Sequence, residues 1–98
     1  MIRTIKKFKD KCVTISEHYG LNTQEWQTAQ ELFELGQVVT RRAGQRGRNW
    51  KEKLLDELAD VYIMIQQLLH LHGISKADFE AKVEEKLDRQ LERIKNGD

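Results

Sequence analysis

Residues 57–69 read ELADVYIMIQQLL, and they place two carboxylates, Glu57 and Asp60, in a stretch that otherwise resembles a protein interior. Apolar residues cover nearly the whole circumference of the helix predicted here: Leu54, Leu55, Leu58, Val61, Tyr62, Ile63, Met64, Ile65, Leu68, Leu69 and Leu71. A helix that is apolar on all sides is normally buried. Because a four-helix monomer leaves each helix one outer face, we expect this helix to pack against a neighbouring subunit as well.

Two further helices are predicted on the N-terminal side of this stretch. Apolar residues at spacings of three and four indicate an amphipathic helix over 2–19, closed by Gly20. They are Ile2, Ile5, Phe8, Cys12, Ile15 and Tyr19. Asn22, with a glutamate three residues later, is typical of a helix N-cap. The second helix is therefore expected to run from this cap to about Ala43, where Gly44 would stop it.

The apolar helix and a fourth helix complete the chain. The stretch GQRGRN at 44–49 is the one clear loop, and its last residue, Asn49, is expected to cap the third helix, which ends at Gly73. Ser75 is expected to cap a fourth helix that continues to about Lys95. No stretch alternates as a strand would. The fold class predicted is therefore all-α, a small four-helix bundle.

Composition limits the function classes. The chain has 98 residues, 34% of them charged, and a formal net charge of only +1. We therefore expect one domain over 1–98 and not a general nucleic-acid binder, which would carry a large basic excess. Cys12 is the single cysteine, so no intrachain disulfide forms. The basic N-terminus runs into more charge, and no apolar run approaches the roughly 20 residues of a membrane helix. A cytoplasmic protein that does not bind membranes is expected.

Four carboxylates on two consecutive helices form the most informative pattern. Glu57 and Asp60 are three residues apart and share one side of the third helix, while Glu31 and Glu34 have the same spacing on the second. If the loop at 44–49 makes these helices antiparallel, the pairs lie opposite each other. Four such carboxylates would repel one another unless a hard divalent cation lay between them. Ligands that are all oxygen indicate Mg²⁺, with Mn²⁺ as the alternative.

The same residues have a simpler interpretation. In so charged a chain, glutamates three apart often line a solvated helix face, and Glu31 with Glu34 would fit that interpretation if they stood alone. Glu57 and Asp60 lie in an apolar helix, where ionised groups are seldom left without a partner. The occurrence of both pairs on consecutive helices favours the metal site.

The two motifs resemble a known family. Glu31-Leu-Phe-Glu34 and Glu57-Leu-Ala-Asp60 match the E-x-x-E, spacer, E-x-x-D pattern of the all-α nucleoside triphosphate pyrophosphohydrolases, and AQELFEL with LLDELADVYIMIQQL is most similar to short MazG-like proteins. The resemblance covers roughly residues 24–95. It implies a four-helix MazG-like bundle completed by oligomerisation, as a homodimer or homotetramer. It also implies hydrolysis of a (d)NTP to a (d)NMP and pyrophosphate.

The resemblance also implies roles for particular residues. All four motif carboxylates would bind Mg²⁺, Glu31 and Glu34 would also serve catalysis, and Gln27 would touch the nucleotide. In the last helix, Lys86, Gln90 and Arg93 are similar to a family pattern of Lys, Asn and Arg that meets the phosphates; without the resemblance, they would be interpreted as a solvated face. The family often has two adjacent glutamates opening the first motif. Here the first is Gln30, which leaves a second metal in doubt.

Two other functions also fit the sequence. One is a non-enzymatic helical module in which the apolar third helix only oligomerises. The other is RNA binding through the arginines around the loop, Arg41, Arg42, Arg46 and Arg48. Trp26 and Trp50 are expected to anchor a core or an interface. His70 and His72 are expected to point in different directions, because residues two apart on a helix diverge.

Overall fold

The computed structural model describes the backbone of residues 2–97 and the side chains of residues 7–97. It contains four α-helices: α1 Ile2–Tyr19, α2 Leu21–Val39, α3 Trp50–Leu71 and α4 Lys76–Lys95. Between residues 2 and 97 there is no strand, so the all-α prediction with four helices is confirmed. None of the described helices combines the length and the apolar character needed to cross a membrane. The side chains of Ile2 and Ile5 lie outside the described residues.

Three predicted helix ends are confirmed by their local geometry. Gly20 and Gly73 have φ angles of +86° and +66°, the left-handed region in which glycine is favoured. They follow α1 and α3 as the sequence predicts. At the start of α4, the hydroxyl of Ser75 accepts a hydrogen bond from the backbone N–H of Asp78 at 3.0 Å. This bond satisfies one of the amide groups that a helix N-terminus leaves unpaired.

The predicted end of α2 at Ala43 is wrong, because the helix stops four residues earlier. The indole N–H of Trp50 donates to the carbonyl of Val38 at 2.9 Å. That carbonyl would otherwise accept from the N–H of Arg42 in the next helical turn. Arg42 instead donates to the side chain of Gln45 at 3.2 Å. The chain then forms a short 3-10 turn, Ala43–Gln45, inside the predicted loop.

Two predicted caps also differ from the structure. Asn22 lies within α2, which begins one residue earlier and has Gly20 as its N-cap, with no side-chain bond. Asn49 does precede α3, but its side chain makes no capping hydrogen bond. The tight turn at Gly20 leaves no room for a separate capping residue after α1. The chain therefore passes directly from one helix into the next.

The packing joins α1, α2 and α3 to one another, and the α2–α3 pair is the most extensive. Between α1 and α3, the rings of Phe8 and Tyr62 stack with their centroids 5.4 Å apart. Along α4, only Phe79 is half-buried, and the other described side chains are exposed. The fourth helix therefore contacts the rest of the chain near its start and extends away from it.

The interior of the single chain is small and partly polar. The buried apolar residues of the described part are Cys12, Val38 and Val61. Leu55, on α3, is 67% exposed, and Trp26 is 79% exposed, so neither is a core residue of the single chain. The expected cover of α3 by a second subunit stays a prediction.

A pair of buried amides joins α2 to α3. The side-chain N–H of Gln24 donates to the side-chain oxygen of Gln67, and both residues are almost wholly inaccessible to solvent. The amide nitrogen of Gln67 has no partner. Buried polar groups normally keep a partner because losing one costs more than forming the bond gains.

We predict a non-additive effect at this pair. Changing Gln24 to Met leaves the Gln67 amide buried with no partner at all, and it should lower the free energy of unfolding by about 1–3 kcal/mol. Changing both residues to Met removes the need for a partner and should recover most of that loss. Urea unfolding of the two single variants and the double variant measures this coupling. The prediction would be contradicted if the double variant lost as much free energy of unfolding as the two single variants lose together.

Candidate metal centre

The antiparallel pair of α2 and α3 places the two motifs opposite each other. One ligand oxygen from each of Glu31, Glu57 and Asp60 lies within 4.8 Å of the other two. We call these three residues the carboxylate cluster. Glu31 and Glu57 are half-buried and Asp60 is exposed, so the cluster lies at the edge of the helix interface and opens to solvent.

Glu34 is beside the cluster but outside it. It is half-buried on α2, and its charge raises the pKa of both Glu31 and Glu57. Of the four carboxylates predicted from the sequence, three thus converge and the fourth adjoins them. The structure therefore supports the predicted arrangement of the motifs.

The hydrogen bonding of the cluster is incomplete. The side-chain N–H of Gln27 donates to Oε1 of Glu31 at 2.8 Å. Oε2 of Glu31 and Oε2 of Glu57 are both inaccessible to solvent and accept no hydrogen bond. Burying an ionised carboxylate oxygen without a partner is costly, so nearly all such groups in folded proteins are paired. Two unpaired oxygens in one cluster mark a position at which a cation would be stabilised.

The electrostatics support this inference. Burial raises the pKa of Glu31, the bond from Gln27 offsets part of the rise, and the charges of Asp60 and Glu34 add to it. Burial likewise raises the pKa of Glu57, followed by the charges of Glu34 and Asp60. Among the ion pairs of residues 7–97, none joins a lysine or arginine to any of the four carboxylates. The repulsion among these groups is therefore not relieved by a protein cation.

The donor set fits a hard divalent cation. The cluster offers carboxylate oxygens alone, with no sulfur or imidazole, and this set suits Mg²⁺ or Mn²⁺ better than zinc. Mg²⁺ usually keeps several waters and takes few protein ligands. Asp60 is exposed, so the cluster is open to water on that side.

The structure does not bring the predicted α4 residues to this site. Lys86, Gln90 and Arg93 are exposed on α4. Near the start of that helix, Phe79 lines the same open cleft as Tyr62 of α3. At 100° per residue, Tyr62 lies about 160° around α3 from Asp60, nearly on the opposite side. In the single chain, α4 and the carboxylate cluster therefore occupy different sides of α3.

Contacts are seen for one arginine of the 44–49 loop and for the two histidines near the end of α3. The guanidinium of Arg46 lies 3.9 Å from the ring centroid of Trp50. This is a cation–π contact, so the charge of Arg46 already has a partner within the chain. His70 contacts Glu17 at 3.2 Å and His72 contacts Glu25 at 3.1 Å. Because these glutamates lie on α1 and α2, the two histidines point to different helices, as predicted.

One carboxylate near the site was not anticipated from the sequence. Asp56 also raises the pKa of Glu57, although its contribution is smaller than those of Glu34 and Asp60. Its adjacency to Glu57 was visible in the sequence. Residues one apart on a helix point about 100° away from each other, so the adjacency did not suggest a shared site.

Comparisons with protein-family models, with curated proteins and with solved structures find no match to this chain. The interpretation of the site therefore rests on the geometry of these carboxylates. The resemblance of the two motifs to the pyrophosphohydrolase pattern stands beside that geometry as an expectation.

We predict that Glu57→Gln stabilises the protein when no divalent metal is present. A raised carboxyl pKa means that the folded chain binds the proton more tightly than the unfolded chain, so stability falls as pH rises through the titration. The gain from Glu57→Gln should therefore be full at neutral pH and should vanish towards about pH 4, near the ordinary pKa of glutamate. Thermal melts in EDTA across this range measure it.

The matched control is Glu84→Gln, the same change at an exposed glutamate of α4. It should leave the melting temperature nearly unchanged. Excess Mg²⁺ should raise the melting temperature of the wild type and not that of Glu57→Gln. A Glu57→Gln protein that melts below the wild type in EDTA at neutral pH would contradict the repulsion among the carboxylates.

Proposed function

We propose that this chain is a Mg²⁺-dependent nucleoside triphosphate pyrophosphohydrolase that converts a (d)NTP to a (d)NMP and pyrophosphate. The observation that carries the proposal is the pair of buried, unpaired oxygens of Glu31 and Glu57 within a cluster of three carboxylates. A cluster without a protein cation, open on one side, is suited to an ion that also binds phosphate oxygens. The motif resemblance then favours cleavage at the α-phosphorus.

In this proposal, Glu31, Glu57 and Asp60 would hold the ion, and Glu34 adjoins the cluster that these three residues form. When bound, Mg²⁺ would neutralise charge on the phosphoryl oxygens and orient the leaving group; Mn²⁺ is the alternative. The side-chain N–H of Gln27 donates to Oε1 of Glu31, and Oε2 of Glu31 has no hydrogen-bond partner. Glu34, which adjoins the cluster, would accept a proton from the attacking water.

The bond changes in the reaction are those of a phosphoryl-group hydrolysis. The water oxygen bonds to the α-phosphorus, and the bond from that phosphorus to the bridging oxygen breaks. The water proton passes to Glu34 and pyrophosphate leaves. Because the pKa values of Glu31 and Glu57 are raised, protons compete with the ion for these oxygens, and the ion should bind more tightly as pH rises.

The remaining predicted roles belong to the same proposal. Lys86, Gln90 and Arg93 would meet the phosphates, which requires that α4 of the same chain or of another copy be brought to the cluster. The working unit would be a homodimer or homotetramer with a MazG-like arrangement of helices, and the enzyme would act in the cytoplasm. The wide exposure of apolar side chains supports the oligomer.

The same exposure favours a second candidate function, a non-enzymatic module that oligomerises through its helices. Leu58 and Tyr62 on α3 are 48% and 56% exposed, and Phe33 on α2 is 68% exposed. Apolar surface of this extent marks interaction sites whether or not a protein is an enzyme. Only the carboxylate cluster distinguishes the two candidates.

We predict that the purified protein releases pyrophosphate from at least one common NTP or dNTP in the presence of Mg²⁺, and that EDTA abolishes this turnover. Glu57→Gln should lower kcat/KM by about 100-fold or more, because losing an ion that stabilises the transition state by several kcal/mol has an effect of this size. Glu84→Gln is again the matched control and should retain turnover.

Three results would contradict the proposal. Inorganic phosphate as the product would indicate attack at the γ-phosphorus. A Glu57→Gln protein as active as the wild type would remove the cluster from the chemistry. No turnover of any nucleotide, with oligomerisation intact, would favour the non-enzymatic module; steeply salt-dependent RNA binding would favour the arginine loop as the functional part.

A further inference from the structure

Lysine and arginine are unevenly distributed along the hairpin that α2 and α3 form with their connection. α2 contains neither residue, and α3 contains neither after Lys53. Every lysine and arginine of the hairpin therefore lies within residues 41–53, which we call the basic turn. They are Arg41, Arg42, Arg46, Arg48, Lys51 and Lys53, and Glu52 is the one acidic residue of this range. Because the carboxylate cluster lies further along both helices, the charge of the hairpin changes sign along its length.

Lys53 is the residue of the basic turn that shares a helix face with the carboxylate cluster. Glu57 and Asp60 follow it on α3 by four and seven residues. At 100° per residue, these three residues lie within an arc of about 60° around the helix. Lys53 precedes Glu57 by about 6 Å along the helix axis, on the side of the connection. It therefore lies one helical turn from the cluster, between the cluster and the rest of the basic turn.

The charge of Lys53 is not neutralised within the described part of the chain. The residue is exposed, and none of the ion pairs seen there includes it. Glu57 is four residues further on, but a lysine that precedes a glutamate by four is the less favourable order for an ion pair on a helix. Arg46, in contrast, has the ring of Trp50 as its partner. Lys53 thus offers a cation to an anionic ligand beside the cluster.

The other side of the carboxylate cluster has a different chemistry. Gln27 precedes Glu31 by one turn of α2 and so lies on the side of the cluster away from the basic turn. Its side-chain N–H donates to Oε1 of Glu31 at 2.8 Å. An amide has both donors and an acceptor and can bind neutral polar groups. A ligand with a neutral head and an anionic chain therefore finds an amide on one side of the cluster and cations on the other.

We propose that Lys53 binds the phosphate chain of the substrate and so sets the direction in which a nucleoside triphosphate lies across the carboxylate cluster. This inference rests on the proposed pyrophosphohydrolase function. The ammonium group of Lys53 donates to oxygens of the β- and γ-phosphates, because lysine binds phosphate as a point charge. These two phosphates point towards the basic turn, and the nucleoside lies on the side of Gln27.

This direction has a consequence for cleavage and for selectivity. When the bond between the α-phosphorus and the bridging oxygen breaks, the β- and γ-phosphates leave together as pyrophosphate. Lys53 then stabilises the negative charge that the leaving group gains. A nucleoside monophosphate lacks the two phosphates that Lys53 contacts, so the same lysine favours the substrate over the product. The contact uses a cation of the α2–α3 hairpin itself and does not require a movement of α4.

The test is the binding of inorganic triphosphate, which has no base and is measured apart from turnover. Isothermal titration calorimetry in Mg²⁺ at fixed salt gives its Kd. Lys53→Gln should raise this Kd about tenfold or more, the effect expected when one charged hydrogen bond is lost. Lys53→Arg keeps the charge and should restore most of the affinity.

The matched control is Lys51→Gln. Lys51 is also exposed and belongs to the same helix, but it lies about 160° around α3 from Lys53. Its loss removes the same charge from the basic turn and should leave the Kd for inorganic triphosphate within about twofold of the wild-type value, since the general field of the turn falls off in salt. Thermal melts of both variants should match the wild type, which excludes a loss of folding as the cause.

Three results would overturn the proposal. They are a wild type that does not bind inorganic triphosphate, equal losses of affinity in Lys53→Gln and Lys51→Gln, and a loss in Lys86→Gln with none in Lys53→Gln, which would assign the phosphates to α4. Turnover of nucleotides, measured in parallel, tests the function itself. Pyrophosphate release that Lys53→Gln leaves unchanged would reject the role of Lys53 alone. Lys53-dependent binding of triphosphate without turnover of any nucleotide would reject the pyrophosphohydrolase and keep the phosphate contact.

Discussion

Repulsion among the carboxylates between α2 and α3 is the constraint around which the described structure is arranged. Like charges lie at the contact between α2 and α3, the two helices that pack most extensively against each other. They belong to Glu31, Glu34, Glu57 and Asp60. Such a contact is favourable only if other interactions hold the helices together. The structure provides those interactions at the two ends of the helix pair, one on each side of the carboxylates.

The two ends use different chemistry. Near the connection, the Trp50 indole donates to the Val38 carbonyl, and Val38 itself is buried. At the far end, Gln24 and Gln67 bond inside the interface, and His72 contacts Glu25 at its rim. The carboxylates are thus fixed between an apolar end and an amide end. Free energy gained at both ends offsets the repulsion, which a bound cation would relieve directly.

The helices were largely predictable because they depend on local signals. The spacing of apolar residues and the glycines after α1 and α3 determine those helices, and Ser75 determines the start of α4. The end of α2 was not predictable, since the indole that takes the Val38 carbonyl lies twelve residues further along the chain. Local patterns contain no information about such a contact.

The site was predictable only in part, for a similar reason. The three-residue spacing of each motif puts its two carboxylates on one helix face, and one antiparallel hairpin then brings the faces together. The position of α4 depends on packing that the sequence pattern does not specify. Lys86 and Arg93 therefore had the right spacing for a shared face, yet in the single chain both remain exposed on α4.

The two tryptophans occupy very different surroundings, and this gives the protein a built-in optical reporter. Trp50 is half-buried, hydrogen-bonded to α2 and stacked on Arg46, whereas Trp26 is 79% exposed. Their fluorescence should differ in emission wavelength and in quenching by iodide. With Trp26 replaced by phenylalanine, the remaining indole would report on the joint between α2 and α3. Separation of these helices would then be visible as a red shift in emission, in real time and without a label.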